Sequence, residues 1–291
     1  MPNNDDLLAM SAQVLDTLLR DHTTGKNIFW ATHDYEALGP AYGYHSEIQP
    51  ELINGERGMV VQPRVLKSKA NQTDRSKDMA EVFTPSWICN AQNGLVQDAM
   101  LSCDTEHTEK TEHTEDGPDW QDYVRTTVLE ITCGEAPYLV SRYDTTTGEP
   151  IPLEERIGLL DRKLRLIGEN TQTGDEWLRW AEVAYQCTCG YEWQGDNLLL
   201  ARQNLLFSFM EYYEAKFSDV PPAKSIHAIA DIVAWNLWQM DGLTGGLPDH
   251  EVLEDREPSL FLPPVENRFC RIFDWEKKTE IRFIDLLNDK S

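Results

Sequence analysis

The chain contains no apolar run approaching the roughly 20 residues that a membrane-spanning helix requires. Its first residues, MPNNDDLLAMSAQVL, lack the basic start and apolar stretch of a secretory leader. A soluble, cytoplasmic protein is expected. Hydrolytic signatures are missing: there is no G-x-S-x-G, no H-E-x-x-H and no P-loop. The six cysteines include one close pair, Cys187 and Cys189. Zinc sites favour two pairs at C-x₂₋₄-C spacing, so free thiols and no metal are expected. Positive charge is scarce, with 26 Lys+Arg against 50 Asp+Glu and a net charge of -24. Such a charge repels a polyanion at long range, although screening leaves room for a local basic face.

What is present is enough for a core. Apolar residues make up 41% of 291 positions, which excludes a disordered or collagen-like chain and fits one large domain. The acids are unevenly spread. Residues 81–122 carry 10 acids and one base, including the low-complexity piece HTEKTEHTE, so 104–122 reads as a surface loop. A second acidic loop covers 249–257. One stretch runs the other way: Arg64, Lys67, Lys69, Arg75 and Lys77 face Asp74 alone between Val60 and Lys77. It is either a solvated loop or a phosphate-contacting surface for nucleic acid.

Periodicity predicts helices over 5–20, 86–101, 154–170, 175–186 and 196–217. The turn-rich stretch after the first helix carries Phe29, Trp30, Tyr35, Tyr42 and Tyr44, and is expected to be packed. Strands are expected over 124–132, around 185–192, and in two pairing segments, 271–274 and 280–287. Residues 226–237 read as helix turning into strand. Strands alternating with helices imply an α/β sheet.

Three short segments carry the chemistry. In Val128-Leu-Glu-Ile-Thr-Cys-Gly-Glu-Ala-Pro-Tyr-Leu139, a strand ends at an acid, Glu130, before a tight turn at Cys133-Gly134 that leads into a helix. Such a turn lets backbone approach a nucleoside. In Cys189-Gly-Tyr-Glu-Trp-Gln-Gly-Asp-Asn-Leu-Leu-Leu-Ala-Arg202, Glu192 stands where a ribose hydroxyl would be bound, and Trp193 is placed to stack on a purine. Asp196 reads as a helix N-cap. In Val233-Ala-Trp-Asn-Leu-Trp-Gln-Met-Asp-Gly-Leu243, Asp241 follows an apolar strand and is placed to accept an adenine amino group.

In this order the segments resemble motifs I to III of adenine-specific, S-adenosylmethionine-dependent DNA methyltransferases, the modification subunits of restriction–modification systems. Leu129, Glu130, Cys133, Gly134 and Leu139 match the first motif, with Ile131 in place of Pro and Ala136 in place of the second Gly. Gly190, Glu192, Ala201 and Arg202 match the second, and Asn236, Asp241 and Leu243 the third. Ahead of them, Glu81-Val-Phe-Thr-Pro85 resembles the family's F/Y-T-P segment, so Thr84 and Pro85 join the expected cofactor site. The resemblance covers about residues 75–243. It implies a Rossmann-like methyltransferase sheet with helices on both faces, over 81–291. A mainly helical extension precedes it over 1–80, and an insertion lies at about 140–185. It also implies S-adenosylmethionine as cofactor and DNA as substrate.

The family's catalytic N/D-P-P-Y/F motif is not intact. At the expected place stands Leu260-Phe-Leu-Pro-Pro-Val265, which keeps Pro263 and Pro264. Leu262 offers no side-chain acceptor, and Val265 cannot stack on a flipped base. Two expectations follow within the family: one piece of a split methyltransferase completed by a partner in a homo- or hetero-oligomer, or a cofactor fold without catalysis. The competing reading is an inactive acidic regulatory protein that mimics DNA, of the anti-restriction type.

Overall fold

The computed structural model describes residues 12–54, 60–67, 84–107, 119–248 and 269–288, with side chains placed over all but 101–107 and 287–288 of these. The architecture is mixed α/β. Three parallel strands, β1 (Val128–Glu130), β2 (Thr188–Glu192) and β3 (Leu237–Gln239), form one sheet in the order β1-β2-β3. An antiparallel pair, β4 (Arg271–Asp274) and β5 (Thr279–Arg282), forms a second.

The helices follow the apolar spacing. Helix α1 (Ala12–Leu19) buries Val14, Leu15, Leu18 and Leu19. A single turn, α2 (Pro50–Ile53), lies in the turn-rich stretch that follows. That stretch is packed as its aromatic content predicts: Phe29, Trp30, Tyr35 and Tyr42 are buried. Next come α3 (Ser86–His107) and α4 (Trp120–Arg125). The strand expected to start at residue 124 is shorter than its β-branched content implies. Asp119 accepts the N–H of Gln121 and starts a helical turn, so Val124 is buried on a helix. The first strand spans only 128–130.

Two helices, α5 (Leu159–Asn170) and α6 (Gly174–Gln186), fill the span between β1 and β2. Thr173 caps α6 by accepting the Glu176 N–H over 3.2 Å. The residues expected to open the second strand at 185 are still helical, and β2 begins at Thr188. The 23-residue α7 (Gly195–Phe217) is buried on almost every face over its first 15 positions, as suits a central helix. It stops at Ser218, whose φ is 54°, ahead of Pro221 and Pro222. Helix α8 (Ala223–Asn236) runs directly into β3, the helix-to-strand change expected for this segment. The chain closes with β4, β5 and α9 (Phe283–Asn288); the second of the two expected C-terminal strands ends at Arg282 and the rest is helix.

Register divides the sheet into two faces. Val128, Thr188, Gly190 and Leu237 share one, and Leu129, Cys189, Tyr191 and Trp238 share the other. The first joins the main core, in which Val128 and Leu237 pack with apolar residues of α5, α6, α7 and α8. Residues of the N-terminal region, among them Leu15, Trp30 and Ile48, belong to that same core. The second face packs at its β3 side against Ile272 and Phe283 in a smaller cluster. Toward β1 it opens, and Leu129 is 47% exposed.

No helix among the described residues is long and apolar enough to cross a membrane.

Candidate site at the strand ends

Parallel strands present their last residues at one edge of the sheet. On the helix-covered face the three last residues are all polar: Glu130, Glu192 and Gln239. Each is at least nine-tenths buried, and each is held by backbone.

Glu130 accepts the N–H groups of Tyr138 (3.3 Å) and Leu139 (3.1 Å). Glu192 accepts the N–H of Gly134 over 2.8 Å through one oxygen, and those of Trp193 (3.0 Å) and Gln194 (3.1 Å) through the other. Burial pushes the Glu130 carboxyl up to about 8 despite its amide donors, and the neighbouring Glu192 charge adds to the rise. Burial raises Glu192 as well, against the same kind of hydrogen bonds. The Cys133 thiol, buried beside both, is raised far above its ordinary value.

The turn between the two acids is unusual. Instead of entering a helix after Gly134, residues 131–139 run through successive turns. Thr132, Gly134 and Ala136 have φ of 46°, 54° and 62°. Left-handed backbone is strained for Ala and more so for a β-branched Thr. Left-handed turns of this kind gather amide N–H groups into anion-holding concavities. Here the acceptors are the protein's own carboxyl groups, Glu192 and Glu130.

The Thr84-Pro85 segment reaches the same turn region. Thr84 offers its carbonyl to the Thr145 hydroxyl over 3.3 Å, and Ser86 N–H donates to Asp144 over 2.8 Å. The Tyr138 hydroxyl donates to Gln92 of α3. The amide–carboxyl contacts join Glu130, Gly134 and Glu192, with Cys133 beside them, while Thr84 and Ser86 are held by the next turn, at Asp144 and Thr145.

Trp193 is tied to the N-terminal region: its indole N–H donates to the Tyr44 hydroxyl over 2.8 Å. Asp241 lies two residues beyond β3 and caps its own turn, accepting the N–H groups of Leu243 (2.7 Å) and Thr244 (3.0 Å). The residue that continues the row of strand ends is Gln239. Its side-chain amide brackets Phe29, accepting from the N–H and donating to the carbonyl, both at 2.8 Å, and it also donates to the Trp193 carbonyl. In the sequence the acid two positions on, Asp241, is the more conspicuous residue; the signal of Gln239 is its place as third residue of the strand that begins at Leu237.

The basic stretch departs from the expected contact surface. Lys67 is 8% exposed, and its Nζ lies 2.8 Å from Asp196, which also accepts the Tyr35 hydroxyl. A lysine paired in this way does not face a phosphate backbone. Arg64 is half-buried, and its N–H donates to Glu135 over 2.7 Å. Lys69, Arg75 and Lys77 lie outside the described residues, as do Pro263 and Pro264 and the acidic stretches 108–118 and 249–257. The cysteines at 89, 133, 187, 189 and 270 are free, and no cluster of metal-ligating side chains occurs among the described residues.

Comparison with protein-family models, with curated proteins and with solved structures finds no match for the chain.

Proposed function

We propose that the chain binds S-adenosylmethionine on a Rossmann-like sheet and serves as the cofactor-holding subunit of a DNA adenine methyltransferase system. The observation that carries this reading is the use made of the backbone donors after β1 and β2. Dinucleotides and nucleoside triphosphates need free N–H groups at this turn for their phosphates. Here Gly134, Tyr138 and Leu139 already donate to Glu192 and Glu130. Two buried carboxyls beside the turn oppose phosphate and favour a cation. S-adenosylmethionine is a nucleoside without phosphate that carries a sulfonium and an ammonium group.

In this reading Glu192 orients the ribose through its remaining lone pairs while holding Gly134 in place. Glu130, at the end of the neighbouring strand, meets the positive end of the cofactor and loses its proton as that charge arrives. Thr84 and Pro85 close the methionine end, and Trp193 flanks the purine. Methyl transfer to an adenine amino group belongs to the assembled system. The DNA-contacting surface is assigned to a protein partner, because Lys67 is occupied by Asp196 and the chain's net charge is -24.

Calorimetric titration with S-adenosylmethionine, with ATP and NAD alongside, tests the reading. The expected result is one-site binding of S-adenosylmethionine at about micromolar Kd, weakened at least about tenfold by Glu192→Gln and not displaced by ATP or NAD. Thermal unfolding of both proteins shows that each is folded. Silence of the folded wild-type chain toward S-adenosylmethionine, or its displacement by ATP or NAD, overturns it.

A further inference from the structure

Away from the strand ends, a cavity of about 430 Å³ opens between α3, α4, the turn at 153–155 and α5. Three arginines line it: Arg156, Arg162 and Arg165. Their charges are poorly matched by carboxylates. Arg162 donates to neutral groups only, the carbonyl of Asn93 and the side-chain oxygens of Asn90 and Gln97. Arg165 donates to the Arg156 carbonyl over 2.7 Å. Arg156 is 7% exposed and lies 2.6 Å from Glu211, but Glu211 also carries Arg142 at 2.5 Å. Among the described residues the buried Arg156 Nε has no hydrogen-bond partner.

Three acids, Glu154, Glu155 and Glu169, line the same cavity but are more exposed than its arginines. None is within ion-pair distance of the three arginines. The floor is thus cationic and partly desolvated, where an anion gains most from charge-assisted hydrogen bonds. Tyr123, Ile157 and Leu166 supply an apolar wall for the rest of a ligand. The volume falls within the range of small-molecule sites.

We propose that this cavity is a binding site for a small phosphate monoester of about nucleotide size, separate from the strand-end site. The phosphoryl group sits against Arg162 and Arg165, and the buried Arg156 charge behind them adds to the field at that end of the cavity. The ring or chain attached to it lies along Tyr123 and Leu166. Planar guanidinium forks suit the paired oxygens of a phosphate dianion.

The test is calorimetric titration of the full chain with AMP, inorganic phosphate and adenosine. The variants are Arg162→Gln and Arg165→Gln, both half-buried positions where glutamine keeps some donor capacity. One-site AMP binding is expected, weaker by about tenfold or more in each variant. Inorganic phosphate binds more weakly with the same sensitivity, and adenosine is not bound at this cavity. Saturating S-adenosylmethionine and Glu192→Gln leave the AMP isotherm unchanged, which separates this site from the one above. The proposal is overturned if the folded wild-type chain gives no heat with millimolar AMP or phosphate. It is equally overturned if both arginine variants bind AMP as wild type does, or if S-adenosylmethionine displaces AMP.

Discussion

The N–H of Gly134 donates to Glu192 Oε2 over 2.8 Å, and this bond fastens the end of β2 to the turn after β1. The same carboxylate also receives Trp193 and Gln194. Removing it leaves three amides without their acceptor at a buried position. Glu192→Ala should therefore destabilise the chain by about 2–4 kcal/mol, read by urea unfolding. Glu192→Gln keeps one acceptor oxygen and should lose less. Equal stability of Glu192→Ala and wild type would show that the turn is held by other contacts.

Glu130 makes stability depend on pH in an uncommon direction. The folded chain keeps its proton up to about 8, whereas the ordinary value is 4.5. Between those values the folded state binds more protons than the unfolded state. This group's contribution is complete below about 4.5 and is lost as pH rises through about 8. The slope it adds is up to about 1.4 kcal/mol per pH unit. Asp161, raised by burial to about 6, acts with the same sign over a narrower window. Unfolding free energies at pH 5, 6, 7 and 8 should fall for the wild-type chain and fall less steeply for Glu130→Gln. Parallel curves would contradict the raised Glu130.

Lys67 and Asp196 form an ion pair with side-chain exposures of 6% and 0%. Loss of one partner removes the ion pair from a dry site, where Asp196 keeps the Tyr35 hydroxyl. Lys67→Met alone should cost about 3–5 kcal/mol, and pairing it with Asp196→Leu should recover part of that loss. A double-mutant cycle by denaturant unfolding measures the coupling. Additive effects would show that the two charges do not depend on each other.

Two glycines should respond oppositely to alanine. A Cβ at Gly195 would lie 1.9 Å from the Phe29 carbonyl oxygen, so Gly195→Ala must push the N-terminal region off the start of α7. A loss above about 3 kcal/mol is expected. Gly168, inside α5, has open space around its would-be Cβ. Gly168→Ala should add about 0.5–1 kcal/mol through helix propensity. Thermal melts of the two variants suffice, and a shift of the same sign in both would refute the contrast.

Much of this architecture was legible in the sequence because local spacing carries it. Leu160, Leu164 and Ile167 recur at helical intervals, and so do Trp177, Trp180, Ala181 and Ala184; all seven are buried. Glu130 and Glu192 are legible as strand ends because each precedes a glycine-containing turn, at Cys133-Gly134 and at Gln194-Gly195. Local pattern failed where a competing short-range signal won. The β-branched run from Val124 looked like strand, but the Asp119 cap made its beginning a helix. It failed more completely for partners far apart in the chain. Nothing near Lys67 shows that Asp196 lies against it, 129 positions away. Nothing near Asp241 shows that its carboxylate turns back onto Leu243 and Thr244 while Gln239 takes the strand-end position. The arginines of the cavity arise from that same long-range assembly and carry no spacing signature.

Arg202 is 1% exposed, and its guanidinium donates to the carbonyls of Leu18 and Arg20, at and just after the end of α1. It also donates to those of Ala234 and Leu237, at the end of α8 and the start of β3. One buried cation thus terminates two helices that lie some two hundred residues apart in the chain. Neither end can fray without exposing the donors that hold the other. The N-terminal helix and the last turn of α8 therefore open as a single cooperative unit, and their amide protons should exchange with solvent at a common rate.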